Sequence, residues 1–282
     1  MSRSSVSVII TTYHRPVSLL KKALESALAQ TAPAQEILIV DDNETGSALS
    51  AQIRELCGQY EGVEYIKQDG NTGPSAARNA GARRASGQFL AFLDDDDLWM
   101  PEKLEKQLLV FEHGSPALGL VYCHGIQRDQ SGDEHDYYNL YSRRTPAYLD
   151  MLGFDEIGST SGPLIRKSCF DDAGGFWEGL PSHEDYELWI RISKKYAIDC
   201  AAEKLFVYNT HDGEHVSGSK ANAYLGQRDI YLRYRRDLRR YPDIRIRRLN
   251  NVIRRRPAIT PEVLFFAAER LLVRVMKHLH RS

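Results

Sequence analysis

Long apolar runs are missing from this 282-residue chain. No stretch approaches the roughly 18 apolar residues that a helix needs to cross a bilayer, so we expect no transmembrane helix. The N-terminal residues lack the pattern of a secretory signal peptide. Only four cysteines occur, and none of them forms a Cys-x-x-Cys pair, which argues against a zinc site or a disulfide framework. These absences predict a cytoplasmic protein with reduced thiols.

The net charge of −1 hides an uneven distribution. Residues 226–282 hold 16 Lys and Arg against 5 Asp and Glu, whereas residues 1–225 hold 21 against 33. An acidic body followed by a basic tail favours two regions with different roles.

Strand-like and helix-like segments alternate through the first half of the chain. Apolar, β-branched runs predict strands at 6–10, 36–40, 63–66, 88–93, 118–123, 162–166 and 205–208. Helical periodicity predicts helices at 16–30, 47–60, 74–85, 101–112 and 183–196, while 128–145 reads as a polar loop. Short connections between these segments indicate an α/β fold with a mostly parallel central sheet and helices on both faces. In such sheets, ligands bind beyond the carboxyl ends of the strands.

Four consecutive aspartates, Asp94 to Asp97, follow directly on the predicted strand 88–93. Adjacent like charges repel one another and do not stabilise a fold by themselves. Clustered carboxylates at a strand end suit a hard divalent cation such as Mg²⁺ or Mn²⁺. The alternative is a solvated acidic turn.

Other polar residues follow neighbouring strands. Thr11, Tyr13 and Arg15 offer a hydroxyl, an aromatic face and a cation, which could stack a base and meet a phosphate, or form an ordinary polar turn. Asp42 could accept hydrogen bonds from a base or a ribose, or cap a helix. Arg78 lies near the start of the helix 74–85, and a helix N-terminus with an arginine suits a diphosphate. The small residues of that helix serve close packing on the sheet equally well.

Seven segments in this order and spacing resemble the inverting family-2 glycosyltransferases with the GT-A fold. The motifs are VIITTYHRP (8–16), IVDD (39–42), GPSAARNAG (73–81), FLDDDDLW (92–99), GGFW (174–177), EDYELWIR (184–191) and TH (210–211). The resemblance covers about residues 5–217. It implies a GT-A catalytic domain at 1–225, with a nucleotide-binding half at 1–100 and an acceptor half at 101–225, and a basic helical extension at 226–282.

The resemblance implies a nucleotide site. Tyr13 would stack on the base, Asp42 would hydrogen-bond its edge, and Thr11 and Arg15 would line the same pocket. Arg78 would contact the nucleotide as well.

The family's Asp-x-Asp element falls on Asp94 and Asp96. Asp94 would face the ribose or a metal-bound water, and Asp95 would fill the variable position of the Asp-x-Asp element within the nucleotide site. Asp96 would bind Mn²⁺ or Mg²⁺ at the donor's diphosphate. Asp95 and Asp97 form a second Asp-x-Asp frame, so the frame stays open. His211 matches a family position near the metal, with His215 as a competing candidate.

The resemblance assigns the catalytic base to Asp185 and places Glu184 beside it on the acceptor side. A carboxylate is required because an acceptor hydroxyl is a poor nucleophile at neutral pH and must lose its proton as it attacks. The alternative is that both residues cap the N-terminus of the helix 183–196. The loop GSTSG (158–162) borders the sugar pocket or is an ordinary turn.

The implied reaction moves a sugar from a nucleotide-sugar donor, most simply a UDP-sugar, to a hydroxyl of a glycan or lipid-linked glycan. Two alternatives stay open at this point. One is a non-catalytic glycan- or nucleotide-sugar-binding subunit of a polysaccharide assembly complex, and the other is a sugar-1-phosphate nucleotidyltransferase. The second would need a glycine-rich phosphate loop after the first strand, where this chain has TTYHR (11–15).

The basic tail ends in a predicted amphipathic helix with Thr260 as N-cap and Pro261 at its first position. One stripe of this helix is apolar: Leu264, Ala268, Leu271, Leu272, Val275 and Leu279. The stripe could contact the inner face of a membrane, or pack on the catalytic domain or on a second subunit of a homo-oligomer. The many tail arginines could suit nucleic acid, but the acidic body and the resemblance argue against that partner.

Overall fold

The computed structural model describes residues 5–138, 145–210, 219–256 and 258–279. Its first part contains the strands β1 (Val6–Thr12), β2 (Glu36–Asp41), β3 (Val63–Lys67) and β4 (Phe89–Asp94), and the helices α1 (Val17–Leu28), α2 (Ala48–Cys57) and α3 (Pro74–Arg84). These four strands pair in parallel in the order β3-β2-β1-β4. Parallel pairing brings their carboxyl ends to a common edge, as the alternating pattern predicts.

The middle part extends the same sheet. Its elements are β5 (Leu98–Trp99), α4 (Lys103–His113), β6 (Leu118–Arg128), β7 (Glu134–Asp136), α5 (Tyr148–Gly153), β8 (Leu164–Arg166), α6 (Lys167–Ala173), α7 (Glu184–Ser193) and β9 (Ala197–Asn209). The full order is β3-β2-β1-β4-β8-β6-β9-β5, with β7 paired to β6. The long ladders, including β6 with β9, are parallel, and the antiparallel ones are short. The mixed, mostly parallel sheet confirms the predicted α/β class.

The structure differs from the sequence-based expectation at two strands. β7 lies inside the predicted loop 128–145, and β9 begins at Ala197 instead of at residue 205. All three residues of β7 are exposed, so backbone pairing with β6 forms this strand without a buried face. The early part of β9 carries Glu203 and Lys204, whose exposed side chains interrupt the apolar pattern.

The basic extension is helical throughout its described part. It comprises α8 (Lys220–Tyr234), a 3₁₀ turn (Asp237–Arg240), α9 (Pro242–Arg254) and α10 (Pro261–Leu279). Thr260 accepts a hydrogen bond from the backbone N–H of Val263 at 3.3 Å, as its predicted role as N-cap requires. Buried residues of these helices, such as Tyr231, Leu249 and Phe266, join the same apolar core as Ile9 and Leu38 of the sheet. None of the helices in the described residues is both long and apolar enough to span a bilayer.

Helix α3 lies unusually close to the sheet because of Gly81. A Cβ at this position would come within 2.5 Å of the Ile9 side chain and 3.1 Å of Val40. A larger residue would therefore lift α3 from β1 and β2. The close approach fixes the position of Arg78, one turn earlier on the same helix.

Candidate active site

A cavity of about 1610 Å³ opens at the carboxyl ends of β1, β2 and β4. Single-ligand pockets commonly measure about 300–1,000 Å³, so this cavity has room for two substrates. Its lining includes every predicted site residue within the described part of the chain: Thr11, Tyr13, Arg15, Asp42, Arg78, Asp94, Asp95, Asp96, Glu184 and Asp185. His211 and His215 lie outside the described residues.

The four aspartates take different environments. Asp94 accepts hydrogen bonds from Arg78 at 2.7 Å and from the Thr160 hydroxyl at 3.1 Å. Asp96 pairs with Arg15 at 2.8 Å. Asp97 is buried, and its carboxylate accepts hydrogen bonds from Ser161 Oγ at 2.6 Å and from the backbone N–H of Asn209 at 3.1 Å. Asp94 and Asp96 line the cavity. Asp97 instead connects the end of β4 to Ser161 and Asn209.

Asp95 is nearly buried between the other carboxylates. Its Oδ1 lies 3.5 Å from Arg15 Nε, while its buried Oδ2 has no hydrogen-bond partner among the described residues. Burial, and then the charge of Asp96, raise the pKa of Asp95 to about 7. An unmatched carboxylate oxygen at this place is consistent with a site that receives positive charge.

The donor set fits a hard divalent cation. No three His, Cys, Asp or Glu side chains converge into a complete metal cage within the part of the chain that the structure describes. Mg²⁺ does not require one, because it is commonly held by one or two carboxylates together with substrate phosphates. Asp94 and Asp96, both lining the cavity, supply such a pair.

Arg78 connects the two acidic motifs. It is buried, and its guanidinium donates to Asp94 at 2.7 Å and to Glu184 at 2.8 Å. Its charge offsets two carboxylates that would otherwise repel each other and the phosphates of a donor. The predicted nucleotide contact of Arg78 would thus come from a side chain that two acids already hold in place.

The predicted base pocket contains Tyr13 and Asp42. The Tyr13 ring stacks on His14, with ring centroids 4.1 Å apart, and its hydroxyl donates to Glu44 at 3.0 Å. Asp42 is buried, and its carboxylate accepts hydrogen bonds from the backbone N–H groups of Thr72 and Gly73, both at 2.9 Å. Asp42 therefore holds the loop that leads into α3. This is the kind of contact that a helix-capping residue makes.

Asp185 lies in the first turn of α7, where its carboxylate accepts a 2.7 Å hydrogen bond from the N–H of Tyr186. Burial, followed by the charges of Glu184 and Asp155, raises the pKa of Asp185 well above its ordinary value. A carboxylate whose proton affinity has been increased is a stronger base. This arrangement can accept a proton from a hydroxyl group placed in the cavity.

Several cavity residues were not predicted from the sequence. Asp155 accepts hydrogen bonds from the N–H groups of Ile157 and Gly158. His183, which precedes Glu184, adopts a left-handed backbone conformation with φ 64°. Arg248 reaches the cavity from α9. Thr160 belongs to the GSTSG loop that the sequence did single out, but Asp155, His183 and Arg248 carry no short-range motif.

Comparison with known proteins identifies the family. The model of the family described as glycosyl transferase family 2 matches residues 7–172. The chain belongs to this family. The enzyme is a glycosyltransferase, and its cavity combines the family's aspartate motif with the EDYELWIR motif of α7.

Relatives with curated names agree with this assignment. The putative teichuronic acid biosynthesis glycosyltransferase TuaG of Bacillus subtilis is 37% identical over 216 residues, which cover 73% of this chain and 80% of the relative. An uncharacterized glycosyltransferase of Methanocaldococcus jannaschii is 28% identical over 214 residues, covering 74% and 71% of the two chains. An uncharacterized glycosyltransferase of Rickettsia felis is 39% identical over 195 residues, which cover 69% of this chain but only 31% of that longer protein.

The fold has solved counterparts. A crystal structure of S. aureus TarS residues 1–349 in complex with UDP-GlcNAc superposes with a TM-score of 0.68 at 21% identity, covering 88% of this chain and 72% of that one. This likeness supports the GT-A fold of the glycosyltransferase.

Proposed function

We propose that the enzyme transfers a sugar from a UDP-sugar to a hydroxyl of a glycan or lipid-linked glycan, with inversion of the anomeric configuration. One observation carries this proposal: the half-buried Asp185, with its raised pKa, shares a cavity with Asp94, Asp95 and Asp96 at the end of β4, and Arg78 joins the two groups. The choice of a uridine donor is supported by the structural neighbour solved with UDP-GlcNAc.

The donor lies at the strand ends in this proposal. Tyr13 stacks on the base, Thr11 and Arg15 line its pocket, and the diphosphate lies near Asp94 and Asp96. Asp94 and Asp96 would hold Mg²⁺ or Mn²⁺, whose positive charge would stabilise the departing diphosphate. The second frame is less suitable because Asp97 is buried and lies outside the cavity lining, which includes both Asp94 and Asp96.

Asp185 acts as the general base. The acceptor hydroxyl gives its proton to Asp185 while its oxygen forms a bond to the anomeric carbon. The bond from that carbon to the diphosphate oxygen breaks on the opposite face, and the nucleoside diphosphate leaves with the electron pair. Attack opposite to the leaving group inverts the configuration. Glu184, held by Arg78, maintains the negative field that keeps Asp185 basic.

The acceptor is proposed to be a growing polysaccharide. Support comes from the relative TuaG, whose name places it in teichuronic acid biosynthesis. The size of the cavity also leaves space for an acceptor beside the donor.

Helix α10 supports a peripheral membrane location for this reaction. Val263, Phe266 and Val273 bury one face of the helix. The predicted apolar stripe lies on the other face and is exposed, with Leu271 at 63% and Leu279 at 69% of full exposure. Packing of the stripe on the catalytic domain therefore does not occur in this structure. Because the extension is strongly basic, it would be attracted to the opposite charge of an anionic membrane surface.

A direct test is a thermal-shift screen of UDP-, GDP- and dTDP-sugars with Mn²⁺, since a bound donor raises the melting temperature by mass action. Hydrolysis of the stabilising donor then tests for catalysis. The proposal requires stabilisation by a UDP-sugar and slow, metal-dependent release of UDP. A protein that neither binds UDP nor turns over any nucleotide sugar would contradict it.

A further inference from the structure

Arg248 of α9 is a buried cation that pairs with no carboxylate in the described part of the chain. Arg248 is 1% exposed, yet it forms part of the cavity wall. The guanidinium lies 5.1 Å from the centre of the Tyr186 ring and donates from Nη1 to the Tyr186 hydroxyl at 3.2 Å. Its Nη2 has no hydrogen-bond partner among the described residues. Because arginine stays charged in proteins, this burial places in the cavity wall a positive charge that no described carboxylate compensates.

Three other arginines of the extension pair with carboxylates. Arg235 pairs with Glu269 at 2.9 Å, Arg228 with Asp229 at 2.7 Å, and Arg245 also pairs with Glu269. Arg248, which is more deeply buried than these three, has no such pair within the described part of the chain. Arg248 is nearly inaccessible to solvent, so hydration does not replace the missing carboxylate.

A second cation lies beside the first. Arg255 follows Arg248 by seven residues at the end of α9, lines the same cavity and is exposed. Burial, and then the charges of Arg255 and Arg248, lower the pKa of His183 to about 3. Both arginines line the same cavity as His183, the residue directly before Glu184 and Asp185. His183 is neutral at physiological pH and adds no charge of its own.

Polar groups of the extension line the same cavity. They are Ser219 at the N-cap of α8, Asn222 and Gln227 of α8, and Asn251 of α9. The cavity lining thus combines the acidic group Asp94, Asp95 and Asp96 with the basic pair Arg248 and Arg255.

We propose that Arg248 and Arg255 bind a negatively charged group, a phosphate or a carboxylate, on the acceptor glycan. This inference rests on the proposed glycosyl transfer and assigns the acceptor to the anionic class. Guanidinium groups bind both oxyanions with paired, charge-assisted hydrogen bonds. Anchoring the acceptor beside His183 would hold a neighbouring hydroxyl near Asp185, two residues further along the chain.

The test is calorimetric titration of the full chain saturated with UDP and Mg²⁺, so that the donor site is filled. Three probes are used: inorganic phosphate, methyl β-D-glucuronide and the uncharged methyl β-D-glucoside. The proteins are the wild type, Arg248→Gln, Arg255→Gln and the matched control Arg239→Gln, which removes one exposed positive charge of the extension outside the cavity lining. Arg255 is exposed, so Arg255→Gln decides the outcome if Arg248→Gln fails to fold.

We expect at least one anionic probe to bind the wild type more tightly than the glucoside does. The loss of a charge-assisted pair should weaken that probe at least about fivefold in Arg248→Gln and Arg255→Gln, and less than about twofold in Arg239→Gln. Tighter phosphate binding would indicate a phosphate-bearing acceptor, and tighter glucuronide binding a uronate. The inference is overturned if all four proteins bind the anionic probes with equal affinity. It is also overturned if the wild type binds the glucoside as tightly as it binds the anionic probes. If UDP does not bind, the proposed function fails, whereas the same titration without nucleotide still tests the two arginines.

Discussion

The guanidinium of Arg78 lies 2.8 Å from the carboxylate of Glu184, although the two residues are 106 positions apart in the chain. The same guanidinium contacts Asp94 at 2.7 Å. This connection joins the aspartate motif at the end of β4 to the first turn of α7, which contains Glu184 and Asp185. A change in the position of Arg78 would therefore affect both the proposed donor site and the proposed base.

Arg78→Ala should impair both steps. Removing one partner of a buried ion pair costs about 3–5 kcal/mol, because the remaining carboxylates lose their compensation. We expect a lower melting temperature and a loss of kcat/KM of about 100-fold or more, since misplaced catalytic groups cost about that factor. Arg83→Ala, on the same helix but exposed, is the control. Equal kinetics for the two variants would contradict the bridging role.

Most of the fold could be predicted because its patterns are local. The apolar runs of β1, β2 and β4 and the helical stripes between them are visible in the sequence, as are the polar residues at the ends of these strands. β7 could not be predicted, because its three residues are exposed and only pairing with β6 makes them a strand. Its position depends on contacts far apart in the chain.

The residues of the candidate site also divide into those that lie in short sequence motifs and those that only the fold brings together. Asp94, Asp96 and Asp185 were predicted because each lies in a short motif. The cavity roles of Asp155, His183 and Arg248 arise from packing between distant segments: the charge of Asp155 acting on Asp185 of α7, a left-handed turn at His183, and docking of α9. Neither spacing nor composition reports such contacts. The basic composition of the extension indicated a separate role, but it did not show that two of its arginines, Arg248 and Arg255, line the cavity.

Asp185→Asn should remove transfer while keeping donor binding. General-base catalysis commonly contributes about 10²–10⁴-fold, and we expect kcat to fall within that range. Binding of UDP, measured by calorimetry with Mg²⁺, should change less than about threefold, because the proposed diphosphate site lies at the other end of Arg78. Asp171→Asn, an exposed position on α6, serves as the control. A variant that loses UDP affinity and transfer together would show that Asp185 belongs to the donor site.

The raised pKa of Asp185 predicts opposite effects of pH on activity and stability. Activity requires the ionised carboxylate, so kcat/KM for the acceptor should rise with pH through a limb above the ordinary range of aspartate. In the window between the ordinary pKa and the raised one, the folded state binds more protons than the unfolded state, so stability falls as pH rises. Asp185→Asn removes this effect and should raise the melting temperature at neutral pH. Thermal unfolding of the wild type and of Asp185→Asn from pH 4 to pH 8 checks the sign. If Asp185→Asn does not raise the melting temperature at neutral pH, the raised pKa of Asp185 is contradicted.

Asp96→Ala should abolish the metal dependence of donor binding. The substitution removes a proposed oxygen ligand and the 2.8 Å ion pair with Arg15, which keeps its longer contact with Asp95 at 3.5 Å. We expect UDP to bind the variant with an affinity that no longer changes when Mn²⁺ is added. The wild type should gain about tenfold or more from the cation, because one such contact is worth over 1 kcal/mol. Retention of the full Mn²⁺ effect in Asp96→Ala would assign the metal to other ligands.

The exposed face of α10 should control binding to anionic vesicles. Leu271→Glu and Leu272→Glu place charges on a face that does not contribute to the core, so the fold should persist. Withdrawing one leucine from a membrane costs about 1.5–3 kcal/mol, and we expect roughly a tenfold or greater loss of sedimentation with phosphatidylglycerol vesicles for each variant. Leu109→Glu, at a 43% exposed leucine of α4, should bind like the wild type. Vesicles of phosphatidylcholine alone should retain less of the wild type, because the basic extension finds no negative surface there. If α10 instead forms a homo-oligomer, gel filtration without vesicles will show a dimer that Leu271→Glu dissociates, and the membrane proposal is then wrong.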